Sequence, residues 1–295
     1  MKKVLVLAAA MMAAVFSAEA EVEFAYEAGA ELVSAYVWRG QYNGGLSFQP
    51  EGLVGFNAAD EAIQFRAGAW ASLGASDWKF EKNQPAVTIG EFSFDANTYF
   101  VPEVDFMASF YAYGASIGYN EYYYCDDGSS HQSELWFGYN FSHFLGEKAG
   151  AYINWYTIIA GDDKYLDPTL LDPLHERRAF SSYLELGYDY TFEDFGLTLG
   201  VQVGLSPWKS PLYGNNKFAC VNISAKIDKE FDLGVCTLNL FAMGSINPNG
   251  MVTDKDDADY NVFINKAGDV KIANYAEKGH YNQKLNGCIG LGIWF

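Results

Sequence analysis

The chain predicts an all-β fold: a transmembrane, antiparallel, up-and-down β-barrel of about twelve strands, with short turns at one end and long loops at the other. Three observations predict it. Strand-length runs of alternating apolar and small or polar residues recur along the chain, the connections between them alternate between short and long, and the last of these runs continues to the terminal Phe295. The expected strands are 29–38, 46–56, 62–73, 102–111, 114–124, 133–141, 149–159, 179–191, 195–204, 218–229, 233–243 and 285–295. Most match the ~9–11 residues that a tilted transmembrane strand needs. The even connections (57–61, 112–113, 142–148, 192–194, 230–232) are short, whereas 74–101, 160–178, 205–217 and 244–284 are long. An even strand count returns both termini to the short-turn side.

At the start of the chain, Lys2 and Lys3 precede thirteen apolar residues, Val4 to Phe16, followed by Ala18-Glu19-Ala20. That order is a basic region, an apolar core and a small-x-small cleavage site, so residues 1–20 read as a removed secretory leader and 21–295 as one barrel domain. The apolar run is shorter than the ~20 residues a spanning helix requires, and no later run is longer. Only helices and closed barrels satisfy every backbone polar group in lipid, so a membrane location requires the barrel. Composition agrees: 17% aromatic residues, 29 Gly, 8 Pro and a near-neutral mean hydropathy of -0.08. Loss of Lys2, Lys3 and Glu19 with the leader takes the formal charge from -18 to -19. Such an acidic surface argues against nucleic acid as a partner.

Alternation assigns the faces, because successive strand side chains point to opposite sides. In 195–204, Leu197, Leu199, Val201 and Val203 are expected to face lipid, and in 218–229 Ala219, Val221, Ile223, Ala225 and Ile227 likewise. The same rule sends Glu31, Arg39, Glu51, Arg66, Glu103, Asp105, Glu134, Glu185, Lys226 and Asp228 into the lumen as a charge network. A Lys or Arg facing the acyl chains would cost about 2–4 kcal/mol at the midplane. Trp70, Tyr111, Trp136, Tyr152 and Tyr156 share the inward parity and are expected to narrow the bore, giving a narrow or partly blocked pore. Twelve strands lie between barrels filled by side chains and those that enclose water.

In the terminal segment, Leu285, Ile289, Leu291, Ile293 and Phe295 share one face, opposite Asn286, Cys288, Gly290 and Gly292. It resembles the C-terminal assembly signal of bacterial outer-membrane barrels, with Gly290, Ile293 and Phe295 at the expected offsets and Cys288 where a polar residue is usual. Leu32–Gly40 (LVSAYVWRG) with the turn at Asn43, Gly44 and Gly45, then Glu103-Val104-Asp105 and the tyrosines ending at Tyr124, is similar to the TorF-type porin family. The resemblance implies a cell outer-membrane location, outer-membrane lipids, lipopolysaccharide and the barrel assembly machinery as partners, and a porin-like passage of small solutes or ions.

Other motifs read as structure. Gly114-x-Ser116-x-Gly118 fits a nucleophile elbow, which needs a strand-turn-helix context, but alternation continues through it to Tyr124. His131, His143, His175 and His280 all fall in expected connections without zinc spacing, so no metal or other cofactor is expected. Asp254, Asp256, Asp257 and Asp259 lack the turn Gly and bidentate Glu of a calcium loop, with Asp259 and Asn265 in those places. The sequons at Asn140 and Asn222 touch expected strands. No spacing pairs Cys125, Cys220, Cys236 and Cys288, and free thiols are expected. Two further function classes remain beside the channel: an outer-membrane lipid-modifying enzyme, which would show an outward Ser and His within hydrogen-bond reach, and a non-conducting structural or surface-binding barrel.

Overall fold

The computed structural model describes residues 21–74, 86–89, 92–95, 103–125, 131–146, 149–161, 163–166, 176–213, 215, 217–248, 262–264, 270–272 and 285–295. The leader, the Asp254–Asp259 cluster, Asn265, His175 and His280 lie outside these residues. Twelve antiparallel strands close into one barrel. In chain order they are β1 Val22–Val33, β2 Ser47–Ala58, β3 Ile63–Gly74, β4 Glu103–Ala112, β5 Ala115–Tyr124 and β6 His131–Asn140. There follow β7 Ala149–Gly161, β8 Ser182–Phe192, β9 Leu197–Ser206, β10 Ala219–Asp232, β11 Thr237–Ile246 and β12 Leu285–Trp294. Each pairs with its neighbours in sequence, and β12 pairs with β1. A ten-residue strand tilted by ~40° spans about 25 Å, the height of an outer-membrane apolar band.

The faces follow the pleat. Val201, Ile223, Ile227, Leu291 and Ile293 are exposed on the outer surface, while Asn222, Ser224, Asn239, Gly290 and Gly292 are turned inward and buried or half-buried. Gly290 is needed where it stands, because a Cβ there would run into the Phe241 ring across the lumen side of β11.

Several local expectations are corrected. β1 runs over 22–33 rather than 29–38: the chain bends at Ser34 and Ala35, and Tyr36–Trp38 pairs instead with Gln41–Gly44 in a separate hairpin. The bend is held to the wall, since Ser34 N donates to Ile289 O at 2.9 Å and Ile289 N donates to Ser34 Oγ at 2.9 Å. Secondly, Ala219 and Val221 face inward, not to lipid. The β9–β10 register shifts between Gly204↔Asn222 and Leu205↔Cys220, a bulge that reverses the faces beyond it. Val221 is fully buried against Tyr183 and Tyr213. Thirdly, His131 is the first residue of β6 rather than part of a loop. The β10–β11 turn also falls later, at 233–236 rather than 230–232, and Phe180, with φ +51°, lies outside β8.

The seam between β1 and β12 is short, pairing Gly29–Val33 with Gly290–Trp294. Phe295 extends it by one residue through Phe295 N→Ala28 O at 2.8 Å and Ala28 N→Phe295 O at 3.3 Å. The rest of β1, from Val22 to Glu27, pairs with β2 alone among the described residues.

Candidate functional site

The first long connection, between β1 and β2, is folded into the barrel. Arg39 and Gly40 form its tip with φ of +48° and +78°, and Trp38 pairs with Gln41 across them, so the turn has the positive-φ pair that right-twisted hairpins favour. Glycine is required at the second position for a further reason: a Cβ on Gly40 would lie 2.8 Å from Asn222 Oδ1. An arginine held left-handed costs roughly 1–2 kcal/mol.

That conformation delivers the guanidinium to a buried carboxylate. Arg39 Nη1 donates to Glu134 Oε2 at 2.6 Å and Nη2 to Glu134 Oε1 at 2.9 Å, with side chains 8% and 1% exposed. Nη1 also donates to Tyr213 Oη at 3.0 Å. Glu134 accepts two more bonds, from Tyr122 Oη at 2.8 Å and Asn120 Nδ2 at 3.1 Å. The guanidinium carbon lies 4.0 Å from the centre of the Tyr156 ring, 4.5 Å from Trp38 and 4.9 Å from Tyr183. A buried ion pair becomes tolerable when its remaining donors and acceptors are satisfied in this way.

The hairpin touches the wall all round. Tyr36 donates to Glu103 on β4 and packs on Trp70 of β3 at 5.4 Å. Trp38 meets Tyr122 of β5 edge-on at 5.9 Å and stacks on Tyr213 at 6.2 Å, while Gln41 Nε2 donates to Leu212 O at 2.9 Å. On the far side Asn286 Nδ2 of β12 donates to Gly40 O at 2.7 Å. Glu134 belongs to β6, six strands from β12 around the ring, so adjacent residues of one turn hold opposite walls. Twelve strands ~4.8 Å apart and tilted by ~40° give a backbone radius of about 12 Å, and a hairpin lying across that bore occupies most of it.

The sequence-assigned lumen residues thus separate into groups. Arg39 and Glu134 meet directly; Glu103, Asp105 and Trp70 lie on the wall beside the hairpin's Tyr36. Lys226 pairs with Asp228 at 2.8 Å, and Asn239 Nδ2 donates to Asp228 Oδ1 at 2.7 Å, away from Arg39. Glu31 on β1 feels Lys226, and Glu51 on β2 feels Glu31. Glu185 accepts from Gln202 and Asn154. Arg66 is not in a ring with acidic groups: its bonds go to Phe56 O at 3.1 Å, Phe65 O at 2.9 Å and Asn57 Oδ1 at 2.7 Å, beside the short turn at 59–62. Tyr111, Trp136, Tyr152 and Tyr156 line a cavity of about 420 Å³ together with Gln64, Asn140, Asn154 and Glu185.

Sequence reasoning missed Tyr213, which sits in the β9–β10 connection where no periodicity signals it, and it missed the aromatic partners Trp38, Tyr122 and Tyr183. It also missed a polar cluster on the outer face near the long-loop rim, where His131 Nδ1 lies 2.6 Å from Glu121 Oε1 and Tyr119 donates to Glu121. Ser133 faces the same way as His131, two residues along β6, and its hydroxyl bonds to the same carboxylate. The serine therefore serves Glu121 and not the imidazole. Gly114–Gly118 forms a turn and the start of β5, with no helix after it. The four cysteines are all free.

No protein-family model and no curated protein matches the chain, so the TorF-type likeness stands on the residues alone. Among solved structures it is similar to OccAB2 of Acinetobacter baumannii, at 9% identity over 94% of this chain and 97% of that one. The TM-score is 0.27, too low for that likeness to carry an argument. The architecture rests on the strand pairing described above.

Proposed function

We propose that the chain is an outer-membrane, porin-like channel for small solutes or ions, closed in this conformation by its first long connection. The observation that carries this reading is the nature of the closure. The bore is lined by polar and charged side chains, and what fills it is a hairpin held by one ion pair, four further hydrogen bonds and stacked rings, not a continuous apolar core. A barrel serving only as a scaffold gains nothing from a polar lumen plugged by a separable segment. Its outer belt suits membrane lipid and lipopolysaccharide, its terminal Gly290, Ile293 and Phe295 suit the barrel assembly machinery, and its leader suits export.

The enzymatic alternative asked for an outward Ser and His acting together. Ser133 and His131 share the outer face, but each is bonded to Glu121. In a hydrolase the imidazole must stand between carboxylate and hydroxyl to take the hydroxyl proton. The channel reading is therefore preferred.

Because Val33 and Ser47 pair directly, a short Gly-Ser turn can replace residues 35–45 without stretching the wall. In planar bilayers the wild-type protein is expected to show low conductance and the replaced form steady, larger steps. An intact barrel that stays silent after this replacement would refute the channel reading and leave a non-conducting barrel.

A further inference from the structure

Beneath the plug, on its short-turn side, lies the 420 Å³ cavity. Its lining comes from the ends of β3–β7 near the turns at 59–62 and 113–114 and the segment 141–146, with Glu185 of β8 completing the wall. The volume falls in the ~300–1,000 Å³ range of small-molecule sites. Its roof is Tyr156, whose ring also carries the Arg39 guanidinium at 4.0 Å, so the cavity and the plug share that side chain.

The lining chemistry is selective. Flat aromatic surfaces come from Trp136, Tyr152 and Tyr156, with the Trp136 and Tyr156 rings 6.0 Å apart. Gln64, Asn140 and Asn154 set amides among them. An amide both donates and accepts, which suits hydroxyl groups that do the same. Among the described residues no Lys or Arg lines the space, and Arg39, against Tyr156, is already paired with Glu134, so an anion would face Glu185 without a free counter-charge. Each amide makes one bond within the wall, Gln64 Nε2 to Glu61 O at 3.1 Å, Asn140 Oδ1 from Ser142 N at 2.8 Å and Asn154 to Glu185, and an acyl chain would bury their remaining donors and acceptors without partners, an unfavourable exchange. Glu185 is engaged by Gln202 and Asn154 and lies in the field of Arg39, which offsets its pull on a cation.

We infer that this cavity is a binding site for a neutral, ring-bearing polyol, a mono- or disaccharide, whose C–H faces stack on Trp136 and the tyrosines while its hydroxyls bond the amides. The inference rests on the channel reading for the reason a solute should be there, and it names the substrate class of that passage.

The test is equilibrium titration of the purified, detergent-folded barrel by calorimetry, with intrinsic tryptophan fluorescence as a second readout. Maltose and glucose are the probes; gluconate, an anion of similar size, and putrescine, a dication, are the comparators. Saturable binding of a sugar at millimolar concentration is expected, weaker by about tenfold or more in Asn154→Leu and Tyr152→Ala. Trp136 is left in place as a stacking face and a source of the optical signal, and Asn154→Leu stands beside Tyr152→Ala because Tyr152 packs closely on Gly187. Each variant is first checked for strand content and resistance to unheated detergent, and if one fails to fold the other carries the test. Absence of saturable sugar binding overturns the inference, as does gluconate or putrescine binding as tightly as either sugar. The two proposals fail separately. A conducting hairpin-replaced barrel that binds no sugar sinks this one alone, whereas saturable sugar binding by a barrel that never conducts sinks the channel reading and leaves the site.

Discussion

Replacing Glu134 with Gln should open the barrel without unfolding it. Glu134 accepts four hydrogen bonds, two from Arg39 and one each from Tyr122 and Asn120, and its side chain is 1% exposed. The amide keeps one acceptor oxygen, presents an NH₂ to the donors of Arg39 and removes the counter-charge. Stranding one member of a buried ion pair costs about 3–5 kcal/mol. Arg39 is on a hairpin rather than on a barrel strand, so its charge can regain water if the hairpin leaves the lumen, and the penalty falls on the docked state. With RT near 0.59 kcal/mol, about 3 kcal/mol shifts the docked-to-open ratio by roughly 150-fold and about 5 kcal/mol by several thousandfold. The assay is single-channel recording in planar bilayers, paired with the mobility shift of the unheated barrel on detergent gels. Open probability should rise by two orders of magnitude or more while the barrel stays intact. The Arg39→Ala, Glu134→Gln double variant should open little further than either single change, because both remove the same pair. A Glu134→Gln barrel that inserts and remains as silent as wild type would refute the reasoning. A barrel that no longer survives unheated detergent would show that the pair holds the wall and not the plug.

Other consequences can be checked alongside. Gly40→Ala places a Cβ 2.8 Å from Asn222 Oδ1 in a left-handed turn position, and it should raise open probability by about five- to thirtyfold through the ~1–2 kcal/mol of backbone strain alone. In an opened background, acidic lumen groups outnumber basic ones, so weak cation selectivity is expected; Arg66→Ala should strengthen it in reversal-potential measurements, and an unchanged potential would place Arg66 outside the ion path. Deleting Phe295 removes two backbone hydrogen bonds at the end of the β1–β12 seam, about 1 kcal/mol each, so the purified chain should still refold in detergent while accumulating in the periplasm. Unchanged surface levels would count against the targeting role. Mass spectrometry of membrane-derived protein should find Glu21 as the first residue, and a chain beginning before residue 15 would overturn the reading of the leader.

The barrel was legible in the sequence because a half-buried strand writes its geometry locally. Period-two alternation in Leu197–Val203 or Leu285–Ile293 is set by the pleat, and the pleat needs no knowledge of partners. Connection lengths separated the short-turn end from the long-loop end, and strand bounds came within a few residues except in β1, which starts at Val22 rather than at 29 and stops at the bend. Those exceptions were decided by contacts distant in sequence. Leu32–Trp38 alternates well enough to be one strand, yet it breaks at Ser34 because that hydroxyl and amide bond to Ile289, more than 250 residues away. Val221 carries the apolar character of a lipid-facing residue, but a bulge turns it onto Tyr183 and Tyr213, and a one-residue shift leaves no mark in composition. The inward placing of Arg39 was expected for the wrong reason, since parity applies to strands and Arg39 sits in a turn. Its pairing with Glu134, the stacking of Trp38 on Tyr213 and the tie from Asn286 to Gly40 depend on which walls stand opposite once twelve strands close. Alternation fixes the face on which each strand residue lies; only closure of the ring decides what it meets across the bore.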